Sequence, residues 1–228
     1  MKSINNHIIP SEAAGFHQKE IPLLNSVDCV IFGFQNSELQ VLLVKFPYEP
    51  YQGHWSLIGG FILPHIDIDI SALITVQKMT GLENIYLKQV KTFGAINRVP
   101  SERVITTCYF ALINVEPTIE HLSKVHEATW FNINDLPNLV YDHKKMIEES
   151  LEKLQSQIMI EPIGYELLPE KFTMLQLQKL YESILNVKLD KRNFQKKIIN
   201  LDFFEKLEDK DTQNSKKGSY LYQFKGKL

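Results

Sequence analysis

Three observations predict an α+β fold in two parts. Between Val27 and Trp130, short β-branched and aromatic runs alternate with turns around one helical stretch, as expected for a mixed sheet with helices packed on it. After Leu136 and Pro137 the apolar spacing becomes helical. The last sixty or so residues then read helix, turn, helix, hairpin. With 228 residues, 44% of them hydrophobic, the chain can fill one large core or two modest ones. The expected division is an N-terminal extension over 1–22, a sheet-bearing domain over 23–157 and a second domain over 158–228.

The extension carries Lys19, Glu20 and two prolines and has no apolar run, so neither a signal peptide nor a membrane anchor is expected and the location should be cytoplasmic. Val27 to Phe34 and Leu39 to Lys45 read as strands flanking an Asn36-Ser37 turn, and Ile85 to Phe93 and Arg103 to Ile113 repeat the texture. Cys29 and Cys108 lie inside apolar runs and read as buried free thiols. A helix is expected from about Ile68 to Met79. Another, from Asp142 to Ile158, would be a connector, broken by Glu161, Pro162, Ile163 and Gly164.

In the last part, Thr173 with Gln176 three positions on forms a capping box, and Leu177, Leu180, Tyr181 and Ile184 make an apolar face. A second cap at Asp190 starts a short helix with Phe194, Ile198 and Leu201 on one side. At about 100° per residue, Arg192 and Lys196 fall opposite, beside Gln195. Phe203 to Leu207 and Tyr220 to Phe224 can then pair across a turn holding Lys216 and Lys217, with Tyr220, Tyr222 and Phe224 sharing a face. From Lys188 onward eleven basic residues stand against six acidic ones in a chain whose net charge is −2, so an acidic body carries a basic module suited to a polyanion.

Trp55, Ser56, Leu57, Ile58, Gly59, Gly60, Phe61 and, farther on, Gly81 and Leu82 resemble the frame of the Nudix box of nucleoside-diphosphate hydrolases. With Gly60 and Gly81 on the two box glycines, the acidic positions fall on Ile66, Thr75, Lys78 and Met79, and the arginine position on Ile74. Those enzymes hold hard divalent cations on oxygen ligands to activate water. Isoleucine, threonine and methionine offer no such set and Lys78 would repel a cation, so no catalytic residue, metal or cofactor is expected. Asp67, Asp69 and Glu102 keep open an alternative, a weak ADP-ribose-type pyrophosphatase. A helical pair with lysines is also a common packing module, and an RNA-binding module is a third reading.

Both parts together resemble the Nudix-related transcriptional regulators, in which a Nudix-like mixed sheet with helices precedes a winged helix-turn-helix domain. Further carriers are Trp130 to Pro137, then Tyr141, Asp142 and His143, the junction Glu161 to Pro169, and Phe172-Thr173 through Lys191 to Phe194. The resemblance is nearest to the branch that answers to arabinose, while other branches sense ADP-ribose. The sequence departs at Asn97, where the family pattern has aspartate before the arginine. The resemblance implies a ligand-responsive regulator of pentose catabolism, binding a double-stranded DNA operator as a homodimer, with L-arabinose or a nucleotide sugar as effector. Expected pocket residues are Lys45, Asn97, Arg98, Glu102 and Arg103, with Phe46, Phe61 and Phe93 as apolar walls. Expected DNA contacts are Lys191, Arg192, Asn193, Gln195, Lys196 and Lys197 on the short helix, and Lys216 and Lys217 in the wing.

Overall fold

The computed structural model describes residues 23–83, 85–100, 102–115, 127–158, 160–161, 163–212 and 218–226. The expected 1–22 extension, Pro162, and the wing-tip residues Lys216 and Lys217 lie outside them. No helix among the described residues is long and apolar enough to cross a membrane.

Strand β1 (Leu24–Gln35) is the axis of a seven-stranded mixed sheet. It pairs antiparallel with β2 (Glu38–Lys45), and Asn36 and Ser37 take φ of 53° and 64°, the positive values a two-residue hairpin needs to match strand twist. On its other edge β1 runs parallel to β6 (Val104–Asn114). Two short strands that the sequence reading did not separate, β3 (Trp55–Ser56) and β4 (Ile58–Phe61), pair with β2 and β1. Strand β5 (Lys88–Phe93) starts later than expected and pairs with β6, and β7 (Thr129–Asn132) pairs with β2.

Because successive side chains of β1 point to opposite faces, its continuous apolar run feeds two layers. Val27, Cys29 and Ile31 meet Ala72 and Val76 of helix α1 (Ile68–Thr80), which stops at Gly81 in the left-handed region (φ 78°). Val30 and Phe32 join Met146, Ile147 and Leu154 of helix α2 (His143–Gln157) on the other face. Cys29 and Cys108 are buried free thiols.

The C-terminal unit is a winged helix. Strand β8 (Phe172–Thr173) leads into α3 (Met174–Leu185) through the complete capping box: the Gln176 N–H donates to the Thr173 hydroxyl at 3.2 Å, and the Thr173 N–H to Gln176 Oε1 at 2.7 Å. Helix α4 (Lys191–Asn200) starts at Asp190, whose side chain accepts from the Asn193 N–H. Gln178 donates to the Leu189 carbonyl, and Glu182 accepts from its N–H, fixing the turn between α3 and α4. Strands β9 (Phe204–Asp211) and β10 (Ser219–Phe224) form the wing, with β8 on the β10 edge. The register shifts between Tyr220 and Tyr222, so the three aromatics do not share the expected face. Tyr222 packs on the core and Phe224 stacks on Tyr165 at 4.0 Å, whereas Tyr220 is exposed under the ammonium of Lys206.

One hydrophobic core runs from Val30 and Phe32 through α2 to Leu177, Tyr181, Phe194 and Ile198, so the two parts are welded rather than tethered. Polar contacts reinforce the seam: the Leu39 N–H donates to Ser183 Oγ at 2.8 Å and Gln155 to the Ile184 carbonyl at 2.7 Å.

Candidate functional site

A cavity of about 700 Å³ opens between α1, the Gly59-Gly60 strand and the loops that follow β2 and β5. Close approach excludes a side chain at Gly59 and leaves little space for one at Gly60. A Cβ on Gly59 would sit 1.9 Å from Asp28 Oδ1, and one on Gly60 would sit 3.3 Å from Thr75 Oγ1. Ile66, Ile74, Thr75, Lys78 and Met79 all line the cavity, so the positions the box resemblance assigns to carboxylates and arginine do face it.

Its floor is a buried polar network. The Arg98 guanidinium donates twice to the Asp142 carboxylate, at 3.1 and 2.8 Å, and once to Thr106 Oγ1 at 2.6 Å, with Asp28 Oδ2 3.8 Å away. His143 Nδ1 accepts the Leu57 N–H at 3.1 Å, so the proton of the neutral ring sits on Nε2, 3.8 Å from Asp28 Oδ2. Burial pushes His143 down to about 4, with Asp142 opposing and Arg98 assisting. Burial pushes Asp28 up to about 7, with Arg98 pulling back and Asp142 adding to the rise. Phe46, Tyr48 and Tyr141 form an aromatic wall. The Tyr141 ring meets Phe46 at 5.7 Å and Tyr51 at 5.4 Å, both edge-on, and its backbone holds φ 52°, a conformation costing a non-glycine residue about 1 to 3 kcal/mol.

Of the eight pocket residues expected, Phe46, Phe61, Arg98 and Glu102 line this cavity. The other four lie elsewhere. Strand alternation turns Lys45 onto the Trp55 ring, 3.7 Å from its centroid. Phe93 is buried in the core shared with α2. Asn97 is exposed on the loop before Arg98, and Arg103 closes that loop by donating to the Ala95 carbonyl. The sequence reading missed Asp28, Asp142 and His143 as the floor. A lone carboxylate inside the apolar run of β1 was the signal available for the first.

The donor set does not suit the divalent cation that Nudix chemistry uses. Among the described residues no group of three or more His, Cys, Asp or Glu could hold a metal. The lining carboxylates are Glu49, Glu102 and the buried Asp28. A second candidate surface lies on α4. Phe194 and Ile198 are buried, Phe194 edge-on to Tyr181 at 5.3 Å, while Lys191, Arg192, Asn193, Lys196 and Lys197 are exposed and Gln195 half-buried beside them. None of these four cations has an ion pair among the described residues.

Comparisons with known proteins cover both parts of the chain. The family description "NUDIX domain" matches residues 22–150, and "NrtR DNA-binding winged helix domain" matches 164–224. The chain is 28% identical over 205 residues to an ADPR responsive transcriptional repressor of Acinetobacter baylyi, covering 88% of this chain and 82% of that one. The crystal structure of Shewanella oneidensis NrtR complexed with a 27mer DNA superposes with a TM-score of 0.80 at 26% identity, covering 88% and 93% of the two chains. The NUDIX domain of that protein complexed with ADP ribose superposes with a TM-score of 0.54 at 27% identity, over 64% of this chain and 99% of that one. These relatives concern ADP-ribose, so the expected place in the arabinose-responsive branch gains no support.

Proposed function

Because the chain belongs to the Nudix family and ends in a winged helix, we propose that it is a DNA-binding transcriptional regulator whose Nudix domain senses a nucleotide. The observation that carries this reading is the pairing of a large cavity, lined by Ile66, Thr75, Lys78 and Met79 where hydrolases carry carboxylates, with a basic helix welded to the same core. The regulator does not hydrolyse its ligand. A nucleoside-diphosphate sugar such as ADP-ribose is the favoured effector, ahead of arabinose. The cavity has the size of sites for drug-sized ligands, which a monosaccharide would leave largely empty, and Phe46, Tyr48 and Tyr141 offer faces for a base.

Helix α4 enters the major groove, with Arg192, Gln195 and Lys196 at base edges and Lys191 and Lys197 toward phosphates. A homodimer would match two-fold half-sites, and the chain would act in the cytoplasm as units divided near residues 157 and 158. Ligand must reach DNA through differential affinity for two states of the shared core.

The test is a gel shift on the DNA upstream of the chain's own coding region, with ADP-ribose, nucleotide sugars and pentoses in separate lanes. Binding that only ADP-ribose or a nucleotide sugar shifts supports the reading. DNA binding that no ligand alters removes the sensor, and Mg²⁺-dependent turnover of ADP-ribose would restore the hydrolase.

A further inference from the structure

Lys78 stands in the last turn of α1, one helical turn beyond Thr75, whose side chain closes on Gly60. It lines the cavity and is exposed to it. The other lining cations are committed elsewhere: Arg98 to Asp142 and Thr106, and His143, uncharged, to the Leu57 N–H. Lys78 is thus the one lining cation without an ion pair among the described residues. The partial negative charge at the C-terminal end of α1 stabilises an ammonium there without a carboxylate partner. Gly59 and Gly60 line the same cavity and put no side chain into it; the space a Cβ would take there is filled by Asp28 and Thr75.

In a metal-using relative, cations on box carboxylates neutralise the diphosphate of the substrate. Here the carboxylates are gone and a fixed positive charge occupies one of their positions. Resting on the nucleotide reading above, we propose that Lys78 binds the diphosphate of the effector directly, replacing the divalent cation, so that effector binding is independent of metal. A lysine serves as a point charge for phosphate. It holds a nucleotide without activating water, which suits a sensor that must release its ligand unchanged.

The experiment is calorimetric titration of the full chain with ADP-ribose, ADP and adenosine, each in EDTA and in Mg²⁺, for the wild type and for Lys78→Met, Lys78→Arg and Lys78→Glu. The wild type should bind ADP-ribose and ADP equally well with and without Mg²⁺. Lys78→Met should lose about tenfold or more for both diphosphates while leaving adenosine unchanged. Lys78→Arg should keep most of the affinity, and Lys78→Glu should bind weakly in EDTA and regain affinity in Mg²⁺. Wild-type binding that requires Mg²⁺ overturns the proposal and leaves the nucleotide reading standing. The same holds if Lys78→Met matches the wild type, or if adenosine falls as far as ADP-ribose. Failure of all three ligands to bind the wild type removes the nucleotide reading and this inference with it.

Discussion

Arg98 and Arg192 carry the same guanidinium in opposite settings. Arg98 is 7% exposed, donates three hydrogen bonds and sits between Asp142 and Asp28 at the floor of the cavity. Arg192 stands on the open face of α4 with no ion pair among the described residues, and the buried side of its helix is held by Phe194 and Ile198. A desolvated charge must be matched inside the protein, so its partners define structure. A solvated charge left unmatched is available to a polyanion. The first arginine therefore builds the site, and the second stays available to a partner.

Removing each arginine tests that difference, with the larger effect on the buried one. Arg98→Ala leaves Asp142 and Asp28 without their cation and should cost about 3 to 5 kcal/mol of folding stability in urea denaturation. Arg192→Ala should change stability by no more than about 0.5 kcal/mol in the same assay. Equal losses would erase the distinction.

The buried floor should also make stability depend on pH. Asp28 is raised in the folded state, so its contribution is present below its ordinary value of 3.8 and lost as pH rises through about 7. His143 is lowered, so its contribution is present above 6.5 and lost as pH falls toward about 4. Between those limits the two slopes oppose each other. Asp28→Asn leaves the histidine alone. The variant should then lose roughly 3 kcal/mol more than the wild type as pH falls from 6.5 to 4. Denaturation midpoints across that range measure it, and parallel profiles for variant and wild type would refute the assignment.

On DNA the ranking reverses. Arg192→Ala or Lys196→Ala should weaken operator binding by about 1 to 3 kcal/mol and relax base preference, read by gel shift against altered sites. Intact binding in a folded variant would deny α4 its role as reader. Thr173→Ala, which removes a cap without touching either charged region, should cost about 1 kcal/mol of stability with the DNA sequence preference unchanged.

Local signals made much of the fold legible. The Thr173 and Asp190 caps, the Asn36-Ser37 hairpin and the amphipathic α4 each depend on neighbours within a few residues, so the chain spells them out. The wing was less legible, because the register shift after Tyr220 is set by strand pairing and not by alternation along β10. Two residues expected at the cavity lie outside it for a similar reason. Lys45 and Phe93 lie near the cavity in sequence, but the direction of a strand side chain depends on which face the sheet turns toward which helix.

By itself the sequence determined that a basic face lies opposite Phe194 and Ile198, since that follows from residue identity and helical period, and its resemblance to the Nudix box implied that α1 carries no carboxylate where the box positions fall. Only the tertiary structure decided that Asp28, Arg98, Asp142 and His143 meet. They come from β1, the loop after β5 and the start of α2, up to 115 residues apart, and their polar groups are tolerable in a buried place only because folding brings them within reach of one another.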